Sequence, residues 1–399
     1  MSIDTFLLSA DTTDLNYPEV RPTLDLNFAR VKALDPRITF TRASGGSYVG
    51  ADGLIKLAGV NEARFDHDPV TGESLGLLIE EARTNLLLRS EEFDNVAWVL
   101  FGTASRTANT TVAPNGTTTA DSVTLPVSSG ILQSASGSAN TAYTFSIWIR
   151  CDTTKSVRLV INTNLGDPTT LTVTATSSWQ RFSITKTTSV GTLKVTSQVD
   201  TGGGNTFYLW GAQTEQASFP TSYIPTEGST RTRAADDASI TGKNFSDWYR
   251  QDEGTVYFDG TVPAITNDTI GRLIYGFSGG FNFSNSIYIG KSQTSLFISP
   301  QIILNNVGYI LISFPSLTSN RLKTILALSK FNISCKSDLN SSVVTASTTI
   351  PNLPTVDRLQ LGAEPWNSPN KFNRNVGTIK RFTYYPKRLT DAQLQVLTR

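Results

Sequence analysis

A chain of 399 residues with 34 Lys and Arg against 33 Asp and Glu carries a formal net charge of +1, so it lacks the basic field that nucleic-acid binding requires. One His and two Cys, Cys151 and Cys335, remove most Ser–His, Cys–His and zinc chemistries. The length suggests about two to three domains, each with its own core.

The start, "MSIDTFLLSADTTDLNYPEV", has neither the basic nor the apolar region of a secretory signal. Apolar runs such as "VGYILISF" are too short to span a bilayer, and no membrane insertion is expected. In residues 1–85, "TLDLNFA" and "ITFTRASGGSYVGADGLIKLAGV" read as strands, with "GADG" as a turn. This segment is turn-rich and small, so it is expected to pack on a neighbouring subunit or a larger assembly.

Residues 86–233 form a second segment. A short helix is predicted over Glu91–Trp98. In "AYTFSIWIR" the residues Tyr143, Phe145, Ile147 and Ile149 fall on one face. "SVRLVINT", "TLTVTAT", "WQRFSITKT", "GTLKVTSQV" and "TFYLWGAQTE" follow, at the spacing of an antiparallel sandwich. "FPTSYIPTEGSTRTRAADD" reads as a linker. Residues 234–399 repeat the strand-and-turn pattern and close on "LTDAQLQVLTR". There Thr390 caps a helix, Asp391 suits its N-terminus, and Leu394 and Leu397 share a face. The fold class is mainly β: a small N-terminal β segment, two antiparallel β-sandwiches and a short C-terminal helix.

"FDHDPVTGE" places the one His, His67, between Asp66 and Asp68. A metal or acid–base centre is one reading. Asp68-Pro69 followed by Thr71-Gly72 is also a turn signature, and a turn is the favoured reading. In "EEARTNLL", Arg83 is expected to fork onto a carboxylate near Glu80 and Glu81. Trp148 and Trp210 lie inside alternating strands and are expected in the core, whereas Trp98 and Trp179 start strands and suit sugar stacking better. Asp247, Asp252 and Glu253 near Trp248 invite a glycosidase reading, but they flank a turn, and catalysis is not expected. "GAEPWNSPNKFNRN" is a polar loop whose Trp366, Asn367, Asn370, Phe372 and Asn373 fit a carbohydrate contact.

The stretch from "TFTRASGGSYVGADG" through "RFDHDPVTGESLGLLIEEARTNLLLRSEEFDNVAW" resembles the opening of tailed-bacteriophage fibre, spike and other peripheral virion proteins. "YLWGAQTEQASFPTSYIPTEGSTRTRAAD" resembles the end of the carbohydrate-binding-module-like jelly roll that follows it there. "LQLGAEPW" with "VGTIKRFTYYPKRLTDAQLQVLT" resembles the closing strands of concanavalin A-like (laminin-G-like) lectin domains. The resemblance implies a jelly roll over 86–233 and a concanavalin A-like sandwich over 234–399. It also implies calcium where the jelly roll's first and last strands meet, with Glu91, Glu92, Asp94 and Glu215 as ligands.

The expected function is that of a structural virion protein of a tailed phage, on the particle surface. A short tail fibre or receptor-binding protein contacting host glycan comes first, and a capsid-attached head fibre or decoration protein is the alternative. Residues 1–85 would join it to other virion proteins or trimerise it, and a homo-oligomer, by resemblance a trimer, would bind by avidity. A polysaccharide-degrading enzyme comes last, because no solenoid repeat with paired carboxylates is present. No nucleic-acid partner is expected.

Overall fold

The computed structural model describes residues 18–200, 203–262, 271–280, 284–291, 298–310, 314, 320–330, 332–339, 342–345, 350–362, 372–374 and 377–398. The chain is mainly β and separates into two compact units. The first unit holds the described residues up to Arg42, Asn61–Glu81, and those from Ala235 onward. The second holds Ala43–Val60 and Ala82–Ala234.

The second unit is a sandwich of two five-stranded antiparallel sheets. One runs in the order Gln180–Thr187, Ala142–Arg150, Asn205–Glu215, Ala120–Leu125, Ser105–Thr111. The other runs Thr169–Ala175, Lys155–Thr163, Lys194–Asp200, Gly130–Ser136, Val99–Phe101. Tyr143, Phe145, Ile147 and Ile149 point into the core between them, with Leu159, Ile161, Val199, Phe207 and Leu209, as the alternation predicts. Yet Thr144, Ser146 and Trp148 on the opposite face are also buried. That face is covered: Trp148, Trp210 and Tyr223 form an aromatic cluster with Ile55 and Trp179 packed on it. Trp210 and Tyr223 rings lie 4.7 Å apart. Ile55 comes from the hairpin of Gly46–Val49 and Ile55–Ala58, whose turn at "GADG" closes through Gly53 N–H to Gly50 O, 2.9 Å.

The first unit is a second sandwich. One sheet runs Val344–Thr345, Asn332–Ser337, Arg321–Ser329, Glu253–Thr261, Gly377–Tyr385, Ser74–Ile79, Phe65–His67, and Leu24–Asn27 also pairs with Gly377–Tyr385. The other runs Thr39–Thr41, Asp237–Thr241, Arg358–Leu361, Gly271–Ser278, Ser286–Lys291, Ile298–Leu304, Val307–Ile310. Phe258, Tyr275, Phe277 and Phe382 fill the space between them with Trp248. The tail helix Asp391–Leu397 carries a capping box between Thr390 and Gln393 and sets Leu394 on Ile325, Ala327 and Tyr385. No helix among the described residues is long and apolar enough to cross a membrane.

Three sequence expectations are revised. Residues 1–85 are not a separate piece, because Leu24 sits opposite Tyr384 and Leu77 opposite Ile379. Short strands with open edges need partners, and these find them at the other end of the chain. Glu91–Trp98 is a series of turns instead of a helix. Asn95 Oδ1 accepts from Ala97 N–H at 3.0 Å, a local bond that competes with helical pairing, and Phe93 and Trp98 stack into the core 4.7 Å apart. The expected linker after Ser218 is built into the second unit. Thr221, Tyr223, Ile224 and Thr226 are buried, and Arg231–Arg233 pairs with Arg83–Asn85.

The two pieces of the second unit, Ala43–Val60 and Ala82–Ala234, are insertions whose ends are closed by the first unit. Arg42 N–H donates to Asn61 Oδ1, and Asn61 N–H donates to Arg42 O, both at 2.9 Å. Glu80 N–H donates to Asp236 Oδ2, and Asp236 N–H donates to Glu80 O, again both at 2.9 Å. Each neck is therefore a residue pair bound by one side-chain and one main-chain hydrogen bond.

Candidate functional site

The residues that carry the virion-protein resemblance are mostly spent on folding. Arg42 meets Asp236 at 3.0 Å, and Arg64 lies between Asp236 and Glu80, with every one of these side chains buried. Glu81 pairs with Arg272 at 3.1 Å. Glu80 and Glu81 thus serve other arginines, and Arg83 lies over the Phe219 ring at 5.6 Å. Buried charges need such partners, since an unpaired one costs several kcal/mol, on the order of 3–5. Asp68 Oδ1 accepts from Val70 N–H at 2.9 Å and Thr71 N–H at 2.8 Å. Those backbone bonds, Thr71 first, hold its pKa below the ordinary aspartate value. "FDHDPVTGE" is a turn, with His67 buried beside it.

Glu91, Glu92, Asp94 and Glu215 do not converge. Glu215 is buried and accepts from Thr221 N–H at 2.9 Å and from the Thr221 hydroxyl. Glu92 pairs with Arg89 at 3.1 Å. Asp94 is exposed, its N–H held by Asp121. Glu91 accepts from the Tyr223 hydroxyl at 2.9 Å. Among the described residues no group of three or more His, Cys, Asp or Glu is placed to hold a metal ion. Buried anions are satisfied here by nearby hydroxyl, amide and guanidinium donors instead.

Trp148 and Trp210 are core residues, and Trp98 is buried too, its Nε1–H bound to Arg89 O at 2.9 Å. Trp179 is half-buried. Trp248 belongs to the first unit's core. The carboxylates near it have partners: Asp247 has Lys243, Asp252 has Arg250, and Glu253 accepts from the Arg388 N–H and lies 4.0 Å from Arg250. Trp366, Asn367 and Asn370 lie outside the described residues. Phe372 and Asn373 belong to a short strand, Phe372–Arg374, parallel to Gly271–Ser278.

What the second unit does assemble is a cleft over its covered sheet face. It has a volume of about 260 Å³ and is lined by Ile55, Leu57, Glu91, Asn115, Trp210, Tyr223 and Pro225. Leu57 is 65% exposed, an apolar side chain the hairpin leaves in solvent. A smaller hollow of about 130 Å³ shares Leu57, Tyr223 and Pro225 and continues to Arg231 and Thr232. Burial pushes the Glu91 carboxyl above its ordinary range, against the pull of hydrogen bonds from Tyr223 and Trp210. Burial likewise pushes the Tyr223 phenol well up, and the Glu91 charge adds to it. Asn115 Oδ1 is held by Thr117 N–H at 3.0 Å and its hydroxyl at 2.7 Å, which leaves the amide nitrogen as a donor at that wall.

The cleft is therefore lined by apolar side chains together with a carboxylate and an amide. That mixture matches a pyranose ring, whose C–H face is apolar and whose hydroxyls donate and accept. Of the residues singled out in the sequence, Glu91, Trp210 and Leu57's hairpin meet here. The cleft itself escapes sequence reading because four distant pieces build it, and Leu57 sits in a hairpin with no chemical motif.

No protein-family model and no curated protein matches the chain. Among solved structures it is similar to the Ruminococcus gnavus IT-sialidase CBM40 bound to α2,3 sialyllactose, at 14% identity and a TM-score of 0.31, over 37% of this chain and 84% of that one. It is similar to TmCBM61 in complex with β-1,4-galactotriose, at 17% identity and a TM-score of 0.28, over 33% of this chain and 99% of that one. It is also similar to the enzymatically active domain of bacteriophage CBA120 tailspike protein 4, at 13% identity and a TM-score of 0.26, over 33% of this chain and 21% of that one.

Proposed function

We propose that this chain is a structural protein of a tailed-phage virion that binds a host-surface glycan in the cleft of its second unit. The observation that carries the binding half is the cleft itself, lined by Leu57, Ile55 and Pro225 together with Glu91 and Asn115. The virion half rests on the resemblance of the stretches around Arg42, Arg64, Glu80 and Asp236. We read the protein as a binder and not an enzyme, since Asp247 pairs with Lys243, Asp252 with Arg250, and Glu253 accepts from the Arg388 N–H beside the same Arg250. Multiple copies on one particle, three if the resemblance holds, would multiply a weak contact by avidity.

The test is binding of the purified chain to a glycan array and to intact host cells, with and without periodate treatment of the cells. Leu57→Asp is expected to abolish binding, and Glu91→Gln to weaken it about tenfold, the worth of one hydrogen bond to a charged group. Both should keep the wild-type circular dichroism. Trp366→Ala with Phe372→Ala in the same assay shows whether the segment that carries those two residues contributes. A folded wild type that binds neither array nor cells ends the glycan reading.

A further inference from the structure

The open end of the same sheet carries a second, different constellation. Arg150 closes the strand Ala142–Arg150 and stands opposite Tyr208, Tyr208 stands opposite Ser122, and Ser122 opposite Thr107. Residues opposite each other in a sheet point to one face, so a guanidinium, a phenol and two hydroxyls form a row. The Arg150 guanidinium lies 4.8 Å from the Tyr208 ring centre and 5.9 Å from that of Trp179. Trp179 is fixed by its Nε1–H, which donates to Val112 O at 2.9 Å. The rings thus hold the cation in place.

Arg150 Nε is buried without a hydrogen-bond partner, while the side chain as a whole is 27% exposed. Its ion-pair partner, Asp152, stands 3.5 Å from Nη2, longer than an N–H···O bond, and is 70% exposed. Asp152 Oδ2 accepts instead from the Tyr208 hydroxyl at 3.0 Å. Arg64, by contrast, is buried and holds two carboxylates, Glu80 at 2.7 Å and Asp236 at 2.5 Å. Arg150 lies over two aromatic rings beside hydroxyls, and its carboxylate partner, Asp152, is long and exposed.

We propose that Arg150, with Tyr208 and Trp179, binds the carboxylate of an acidic sugar in a host glycan. The two outer nitrogens of the planar guanidinium take the carboxylate as a fork, and Ser122 and Thr107 meet the sugar's hydroxyls. Asp152 competes with the ligand for the cation. The inference rests on the glycan-binding reading but places the charge recognition away from the Glu91 cleft.

The experiment is calorimetric titration of the whole chain with polygalacturonic acid, with polysialic acid, with each polymer after reduction of its carboxyls, and with dextran sulfate. Wild type is expected to bind at least one of the two acids, which also separates hexuronic from nine-carbon acids. Reducing the carboxyls, or Arg150→Gln, is expected to weaken that binding about tenfold or more. Asp152→Asn, which removes the competitor, is expected to tighten it. Unchanged binding in Arg150→Gln, or dextran sulfate binding as tightly as the acids, overturns the proposal. If Arg150→Gln is silent while Leu57→Asp abolishes glycan binding, only this inference falls; if wild type binds no glycan, both fall.

Discussion

Glu91 accepts from Tyr223, a residue 132 positions away, and its burial favours the neutral acid. Its folded pKa therefore lies above the ordinary 4.5. Asp121 is raised above 3.8 for the same first reason. For a group shifted upward, the associated stability is fully present below the unfolded value and is lost as pH rises through the folded value. Glu91→Gln keeps an acceptor for the Tyr223 hydroxyl and removes the titration. Its melting temperature is expected to exceed that of wild type near neutral pH, with the difference closing as pH falls to the ordinary glutamate value. Thermal melts across that range decide it, and a difference that persists in acid refutes the assignment. At this scale, locality decides what can be read in advance. The Asp68 turn is legible because Val70 and Thr71 are adjacent, whereas Trp148 and Trp210 are buried on the face opposite the core, by Tyr223 and the hairpin residue Ile55 that pack there. Glu91's surroundings are invisible until Tyr223 and Trp210 arrive.

The same rule holds for whole elements. The tail helix announces itself through Thr390 and Gln393, three residues apart. The segment after Ser218, rich in Pro and polar residues, reads as a linker, because its strand partner Arg83–Asn85 lies far upstream. In the strand Ser74–Ile79 the pairing shifts between Asp66 and His67, and Gly76 sits at that irregularity with φ +90°. A Cβ there would collide with the Ile379 carbonyl of the neighbouring strand. Gly76→Ala is expected to cost about 1–3 kcal/mol from backbone strain alone, with the collision adding to it. Gly166 has φ +72° but nothing within 4 Å of a Cβ, so Gly166→Ala reports the backbone term alone. Urea denaturation of the two variants separates the contributions, and equal losses would show that the approach of Ile379 matters little.

Across the whole molecule, the expected boundaries at 85 and 233 fail where the chain returns on itself. A fragment of 86–233 lacks the hairpin that packs Ile55 on the aromatic cluster. It also lacks Asn85, whose Nδ2 donates to Ala212 O at 3.0 Å and Ile224 O at 2.9 Å, and whose Oδ1 accepts from Leu87 and Thr214 N–H, both at 3.1 Å. Joining 43–60 to 82–234 with a short Gly/Ser linker is expected to give a fragment more stable than 86–233 by about 3 kcal/mol or more, at roughly 1 per hydrogen bond restored. Equal melting of the two fragments would show that the second unit does not need its first piece. The two necks have a further consequence. Arg42 with Asn61, and Glu80 with Asp236, close the first unit's chain without help from anything between them, and Arg42 ties one neck to the other through Asp236. Exchange of the two insertions between related genes at these four positions would replace the second unit and leave the recipient's first-unit sheets paired as before. Such a swap would have to keep the four neck residues, together with Glu81, which pairs with Arg272.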